Sequence, residues 1–92
     1  MSKNDIEHNF SLATEWVLKN KMPATNEEKL LCYGYYKQAT EGDINYNKPT
    51  GILNIVAVKK WEEWNSLKGV TQDNAKKIYI EFVDSLKKKY KK

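Results

Sequence analysis

Apolar residues recur at helical spacing in four stretches of the chain, and no stretch alternates apolar and polar residues for long enough to predict a strand. The first stretch predicts a helix over about 5–20, and Pro23 would end it. Its apolar side chains are Phe10, Ala13 and Val17 on one stripe, with Leu12 and Trp16 beside them. One face of this helix is therefore expected to pack against the rest of the protein.

The second stretch opens with the pattern of a capping box. Thr25 can accept a hydrogen bond from the backbone three residues on, while Glu28 reaches back to the Thr25 amide. The helix is expected to end before Gly42. Inside it, Gly34 costs about 1 kcal/mol relative to alanine. We expect this glycine to allow close approach by another helix or a ligand.

Turn-forming residues fill the next dozen positions, so a long connection is predicted from Gly42 to about Asn54. Such loops are more often functional than short ones. A third helix is predicted over 56–68, with Trp61 and Trp64 on one face and with its end at Gly69.

The fourth helix is predicted to begin after Thr71, a plausible N-cap, and to run to about Tyr90. Its predicted stripe is Ala75, Ile78, Phe82 and Leu86, with Tyr79 and Val83 on the flanks. The fold class predicted from these stretches is all-α, a four-helix bundle with a long loop between helices two and three. The 92 residues suit a single domain with its core over about 6–90.

The net charge is +4. All the positively charged side chains that contribute to it are lysines, since the chain has no arginine, and five of the lysines lie within 87–92. The absence of arginine argues against sequence-specific contacts to nucleic acid. No apolar run is long enough for a membrane span, and no signal peptide opens the chain. The single cysteine, Cys32, is expected to be a small buried hydrophobe in a reducing, cytoplasmic setting.

The sequence shows no arrangement of residues that is typical of a catalytic site. His8 has no serine or cysteine placed to form a dyad, and Glu27–Glu28 and Glu62–Glu63 are adjacent pairs that point in different directions on a helix. Metal-ligand spacing and a glycine-rich phosphate loop are absent from the sequence. We therefore expect a binding module that needs no metal or cofactor, and not an enzyme.

The run YGYYKQATEGD over 33–43 carries the strongest candidate chemistry. Tyr33, Tyr36 and Lys37 stand at i, i+3 and i+4, so two phenols and an ammonium share one helix stripe. This arrangement suits an anion that carries an aromatic ring. Judged by periodicity alone, tyrosines on a helix flank are more often the edge of an amphipathic core, with the hydroxyl in water.

That run, together with the KPxG turn, the KKWEEW stretch and Tyr79, resembles the acyl-CoA-binding protein (diazepam-binding inhibitor) family over about 10–90. The resemblance implies an up-down-down-up helix order and a monomer that binds medium- to long-chain fatty acyl-CoA. It implies an intracellular carrier for lipid metabolism, with acyl-CoA-using enzymes as transient partners and without stable membrane insertion. The implied acyl-CoA ligands are Tyr33, Tyr36, Lys37, Lys60 and Tyr79. Lysines would bind the 3′-phosphate, with tyrosine hydroxyls beside it and aromatic rings against the adenine.

The chain departs from the family pattern near this site. Leu18 falls near the place of a basic residue on the first helix, and the neighbouring Lys19 is a further candidate ligand. Val56 and Val58 stand where lysines are common, after an extra Thr50 in the turn. We therefore expect a site with less positive charge, whose affinity depends only weakly on salt.

Two other function classes remain open. The basic tail and exposed aromatic residues fit a protein-interaction or membrane-surface module, which would bind anionic vesicles and not acyl-CoA. An enzyme fragment is the other, because this domain also occurs fused to acyl-CoA isomerases. No second segment is visible in this sequence.

Overall fold

A computed structural model of the protein describes residues 3–19, 24–50 and 54–90. Within these residues it forms four helices and no strand, in the predicted up-down-down-up order. The helices are α1 (Lys3–Lys19), α2 (Asn26–Glu41), α3 (Ile55–Asn65) and α4 (Gln72–Lys89). None of these helices has both the length and the apolar character that crossing a membrane requires.

The helices pack in a chain of neighbours: α1 contacts α4, α4 contacts α2, and α2 contacts α3. On α1, Phe10 and Ala13 are buried as predicted, together with Ile6. The predicted helix boundary at Asn20 and the stop at Pro23 lie outside the described residues. Because α2 lies between α3 and α4, side chains from three helices meet around it.

The predicted helix caps are confirmed. The Thr25 hydroxyl accepts the Glu28 N–H at 3.1 Å, and the Glu28 carboxylate accepts the Thr25 N–H at 2.9 Å. At the other end of α2, Gly42 has a φ of +80° and donates its N–H to the Gln38 carbonyl. Thr71 caps α4 by accepting the Asn74 N–H at 3.1 Å. These contacts fix both ends of α2 and the start of α4.

Glu28 also ties the start of α2 to the end of α4. Its carboxylate accepts hydrogen bonds from the Tyr90 hydroxyl at 2.5 Å and from the Lys89 ammonium at 2.9 Å. The bonds from Tyr90 and Lys89 and the capping bond from Thr25 lower the pKa of Glu28 to about 2. Two residues of the basic tail, Lys89 and its neighbour Tyr90, are thus engaged within the protein.

The predicted C-terminal end of the third helix is wrong. The helix ends at Asn65 and not at Lys68, and residues 66–69 form a tight turn. In this turn the N–H groups of Leu67 and Lys68 bond to carbonyls three residues back, each at 3.1 Å. The Ser66 hydroxyl also donates to the Glu63 carbonyl at 2.7 Å, which competes with continued α-helix. Gly69, with a φ of +94°, completes the turn as expected of a glycine.

The prediction of which α4 side chains lie at the centre of the buried stripe is also wrong. Tyr79 and Val83, predicted on the flanks, are 2% and 0% exposed, whereas Ile78 and Phe82 are only half-buried. The helix packs against α1 and α2 at once, so its most buried face lies between those two neighbours. Tyr79 therefore belongs to the core of the bundle.

The long connection that begins at Gly42 joins α2 to α3 as predicted, and residues 51–53 of the predicted range lie outside the described residues. Asp43 anchors its start, since one carboxylate oxygen accepts the Gln38 side-chain amide and the Gly69 N–H, both at 2.8 Å. The buried Gln38 amide also donates to the Val70 carbonyl at 2.7 Å. This network holds the start of the loop against the α3–α4 turn.

Candidate functional site

Two cavities lie on either side of α2. The larger, which we call the tyrosine cavity, has a volume of about 440 Å³. It is lined mainly by Val17, Leu18, Cys32, Tyr33, Tyr36 and Tyr79. The smaller, which we call the lysine cavity, has a volume of about 300 Å³ and is lined by Asn26, Lys29, Leu30, Val56, Lys59 and Lys60. Lys29 borders both cavities.

Three aromatic rings pack together beside the tyrosine cavity, and two of them, Tyr36 and Tyr79, line it. The ring centroids of Phe10 and Tyr79 are 5.1 Å apart, and Tyr36 lies 6.0 Å from each of them. Tyr36 is 41% exposed, so its ring is accessible, whereas Tyr79 is buried with its hydroxyl against the Cys32 thiol. Burial raises the pKa of both Tyr79 and Cys32, so both groups stay neutral at ordinary pH.

The two predicted lysines lie on different helices; Lys60 borders the lysine cavity, and Lys37 borders neither of the two cavities. The Lys60 ammonium, on α3, lies 5.2 Å from the centre of the Tyr33 ring on α2. Lys37 lies one turn after Tyr33, where its ammonium is ion-paired with Glu41 and is 5.1 Å from the Trp64 ring. The bond to Glu41 raises the pKa of Lys37, which keeps the ammonium charged. A bound phosphate would compete with Glu41 for this cation.

The close approach of α2 and α3 depends on Gly34. A β-carbon built at this position would lie 3.1 Å from the backbone oxygen of Glu63 and 3.2 Å from its carbonyl carbon. The predicted close approach is thus made by another helix. Because Lys60 is one turn before Glu63 on α3, the same approach brings Lys60 to Tyr33.

Sequence reasoning missed the contribution of the long loop to this site. Tyr46 packs edge-on against the buried Trp64 ring, 5.8 Å between centroids, and its carbonyl accepts the Trp61 indole N–H at 2.8 Å. Tyr46 also lies beside Tyr33, and burial together with this neighbour raises the pKa of the Tyr33 hydroxyl. The only sequence signal for Tyr46 was its place in a loop of unusual length.

Lys19 is not brought to the cavities. Its side chain is 72% exposed and is paired with Glu15 at 2.7 Å, on the last turn of α1. The neighbouring Leu18, 79% exposed, lines the tyrosine cavity instead. The first helix therefore contributes an apolar side chain, Leu18, to the cavity, and the basic side chain predicted there, Lys19, does not border it.

The described residues contain no cluster of three or more histidine, cysteine, aspartate or glutamate side chains able to hold a metal ion. His8 is exposed on α1. The two cavities offer aromatic surface, ammonium groups and phenolic hydroxyls, which suit an anionic ligand that carries an aromatic ring.

Comparison with known proteins finds a match to the family model described as acyl CoA binding protein, over residues 7–83. The chain is 48% identical over 73 residues to acyl-CoA-binding protein 2 of Saccharomyces pastorianus, covering 77% of this chain and 83% of that protein. It is 42% identical over 79 residues to diazepam-binding inhibitor-like 5 of Rattus norvegicus, covering 86% and 90%. Among solved structures, Oryza sativa acyl-CoA-binding protein 2 superposes with a TM-score of 0.84 at 33% identity, covering 92% of this chain and 91% of that one.

Proposed function

The chain belongs to the acyl-CoA-binding protein family, and we propose that it binds medium- to long-chain fatty acyl-CoA between α2 and its neighbouring helices. The observation that carries the proposal is the convergence of Tyr33, Tyr36 and Tyr79 on one cavity with Lys60 held over the Tyr33 ring. The residues proposed to contact acyl-CoA are then Tyr33, Tyr36, Lys37 and Lys60, and Tyr79 belongs to the site from behind the Tyr36 ring.

The nucleotide half of the ligand sets specificity. The 3′-phosphate is dianionic near neutral pH, and ammonium and phenol donors form charge-assisted hydrogen bonds with its oxygens. Lys37 and Lys60 supply the ammonium groups, and Tyr33, whose ring lies under the Lys60 ammonium, supplies a phenolic hydroxyl. The exposed Tyr36 ring offers a stacking surface for adenine, which is worth about 1–3 kcal/mol by analogy with nucleic-acid bases.

The buried Tyr79 has a different role from the accessible Tyr36. At 2% exposure it cannot stack flat against a base without movement of its neighbours, so it supports the Tyr36 ring from behind. Its substitution should therefore affect stability as well as affinity.

The fatty chain supplies most of the affinity. At about 0.8 kcal/mol per buried CH₂, a long acyl tail contributes of order 10 kcal/mol before ordering costs. Leu30 and Val56 in the lysine cavity offer apolar surface for it. Free palmitate lacks the phosphate contacts and free coenzyme A lacks the tail, so each should bind much more weakly than the thioester.

A calorimetric titration with palmitoyl-CoA, palmitate and coenzyme A tests the proposal. We expect tight binding of the thioester and much weaker binding of its two halves. Palmitate binding as tightly as palmitoyl-CoA would refute the nucleotide site.

In this proposal the protein is a monomeric carrier without catalytic activity, which holds acyl-CoA in the cytoplasm and delivers it to lipid-metabolising enzymes. Contacts of the basic tail support a structural role for that segment instead of a membrane-binding one. Lys87 lies 5.7 Å from the centre of the Trp16 ring, and Lys89 is bonded to Glu28. Lys91 and Lys92 lie outside the described residues.

A further inference from the structure

Lys29 occupies a position that the resemblance does not assign to the ligand. It lies near the start of α2, one turn before Tyr33, and borders both the tyrosine cavity and the lysine cavity. Its side chain is exposed, and its ammonium makes no ion pair within 3–19, 24–50 and 54–90. By contrast, Lys19 and Lys37 are each paired with a glutamate four residues away.

The order of chemical groups along acyl-CoA indicates which segment of the ligand would lie beside Lys29. The aromatic walls of the tyrosine cavity suit the adenine, and the apolar Leu30 and Val56 of the lysine cavity suit the acyl chain. Between base and acyl group the ligand consists of a ribose that carries the 3′-phosphate, a diphosphate and a neutral pantetheine arm. A cation that borders both cavities therefore faces one of two anionic groups, the 3′-phosphate or the diphosphate.

Spacing along α2 indicates that Lys29 faces the diphosphate and not the 3′-phosphate, which is assigned to Lys37. Lys29 and Lys37 are eight residues apart, which is about 12 Å along a helix axis. The Lys37 ammonium is directed further away still, toward Glu41 and Trp64. Lys60, which shares the lysine cavity with Lys29 and lies over the Tyr33 ring, stands between these two cations. One phosphate group does not reach both Lys29 and Lys37, whereas two anionic groups joined by a ribose match the separation.

We propose that Lys29 binds the diphosphate of acyl-CoA, as a specificity residue beyond the set expected from the family. The inference rests on the proposed function. Lys59 adds a second ammonium to the lysine cavity, and the positive end of the α2 dipole lies close by. Positive charge missing at Val56 is thus supplied from Lys29 and Lys59, and we now expect a steeper salt dependence than the sequence alone predicted.

The test compares Lys29→Met with a matched control, Lys77→Met, at an exposed position on α4 that borders neither cavity. Methionine is as good a helix former as lysine, so α2 is expected to stay intact. Three ligands are titrated: dodecanoyl-CoA, dodecanoyl-dephospho-CoA, which lacks the 3′-phosphate, and S-dodecanoyl-pantetheine, which lacks the nucleotide and the diphosphate.

Lys29→Met should weaken binding of both coenzyme A esters about tenfold or more, the usual size of a lost charged hydrogen bond, and leave the pantetheine ester unchanged. Lys29→Arg should restore most of the affinity, and Lys77→Met should bind all three ligands like the unaltered protein.

Two results overturn the inference alone. One is an unchanged affinity of Lys29→Met for dodecanoyl-CoA. The other is a loss that disappears with the dephospho ester, which would place Lys29 on the 3′-phosphate. Failure of the unaltered protein to bind dodecanoyl-CoA would instead overturn the proposed function, and the inference with it.

Discussion

Replacing Gly34 with alanine tests how the contact between α2 and α3 controls both stability and ligand binding. In an exposed helix this change stabilises by about 1 kcal/mol, because glycine loses more backbone freedom on folding. Here the added methyl would meet the Glu63 backbone at 3.1–3.2 Å, closer than nine in ten real contacts of this kind. The two effects have opposite signs, so their magnitudes decide the outcome.

The obstacle is the Glu63 backbone in the last turn of α3, which cannot rotate away as a side chain would. Overpacking of this sort costs about 1–3 kcal/mol. Subtracting the gain of about 1 kcal/mol leaves a net loss between about zero and 2 kcal/mol. A loss of 1 kcal/mol in a domain of this size lowers Tm by about 4–8 °C. Relief requires α3 to move outward by a few tenths of an ångström, which carries Lys60 away from Tyr33.

Urea unfolding followed by tryptophan fluorescence gives the stability, and titration with palmitoyl-CoA gives the affinity. Thr40→Ala is the control, because Thr40 is exposed on the same helix and its replacement adds helix propensity without a new contact. We expect the control to be neutral or slightly stabilised, while Gly34→Ala is less stable and binds more weakly. A Gly34→Ala protein that gains the full 1 kcal/mol or so and binds normally would refute the reasoning.

Three further predictions concern single side chains. The folded protein lowers the pKa of Glu28 from 4.5 to about 2, so its carboxylate stabilises the fold above pH 4.5 and that contribution is lost as the pH falls towards 2. Glu28→Gln should flatten this part of the stability curve measured by urea unfolding, and an unchanged slope would contradict the assignment. Lys37→Ala should weaken palmitoyl-CoA binding about tenfold with an unchanged far-UV circular dichroism spectrum, whereas lost helicity would point to a structural role. Asp43→Ala leaves the buried Gln38 amide without one acceptor and should cost about 1–3 kcal/mol of unfolding free energy, with a negligible change arguing against the network.

Much of the fold was predictable because its signals are local. The capping box of Thr25 and Glu28, the cap at Thr71 and the glycine after α2 each act over three or four residues, and all three signals are present in the structure as predicted. The end of α3 was not predictable in this way. Its final turn depends on the Ser66 hydroxyl and on how residues 66–69 join the next helix.

The candidate site was likewise predictable only where its residues are close together in the sequence. Tyr33, Tyr36 and Lys37 share a stripe because helical spacing alone places them there. Helical spacing does not say which other element a stripe faces. The position of Lys60 over Tyr33 requires the approach of two helices at Gly34.

The sequence by itself determined four helices, their caps, the long loop and a stripe of phenols and an ammonium on α2, because each depends on residues a turn or two apart. The tertiary structure decided which face of α4 is buried, and so why Tyr79 is core. It also decided that Leu18 and not Lys19 borders a cavity, and that Lys29 borders both cavities. Those outcomes depend on how each helix is rotated against neighbours distant in sequence, which periodicity leaves undetermined.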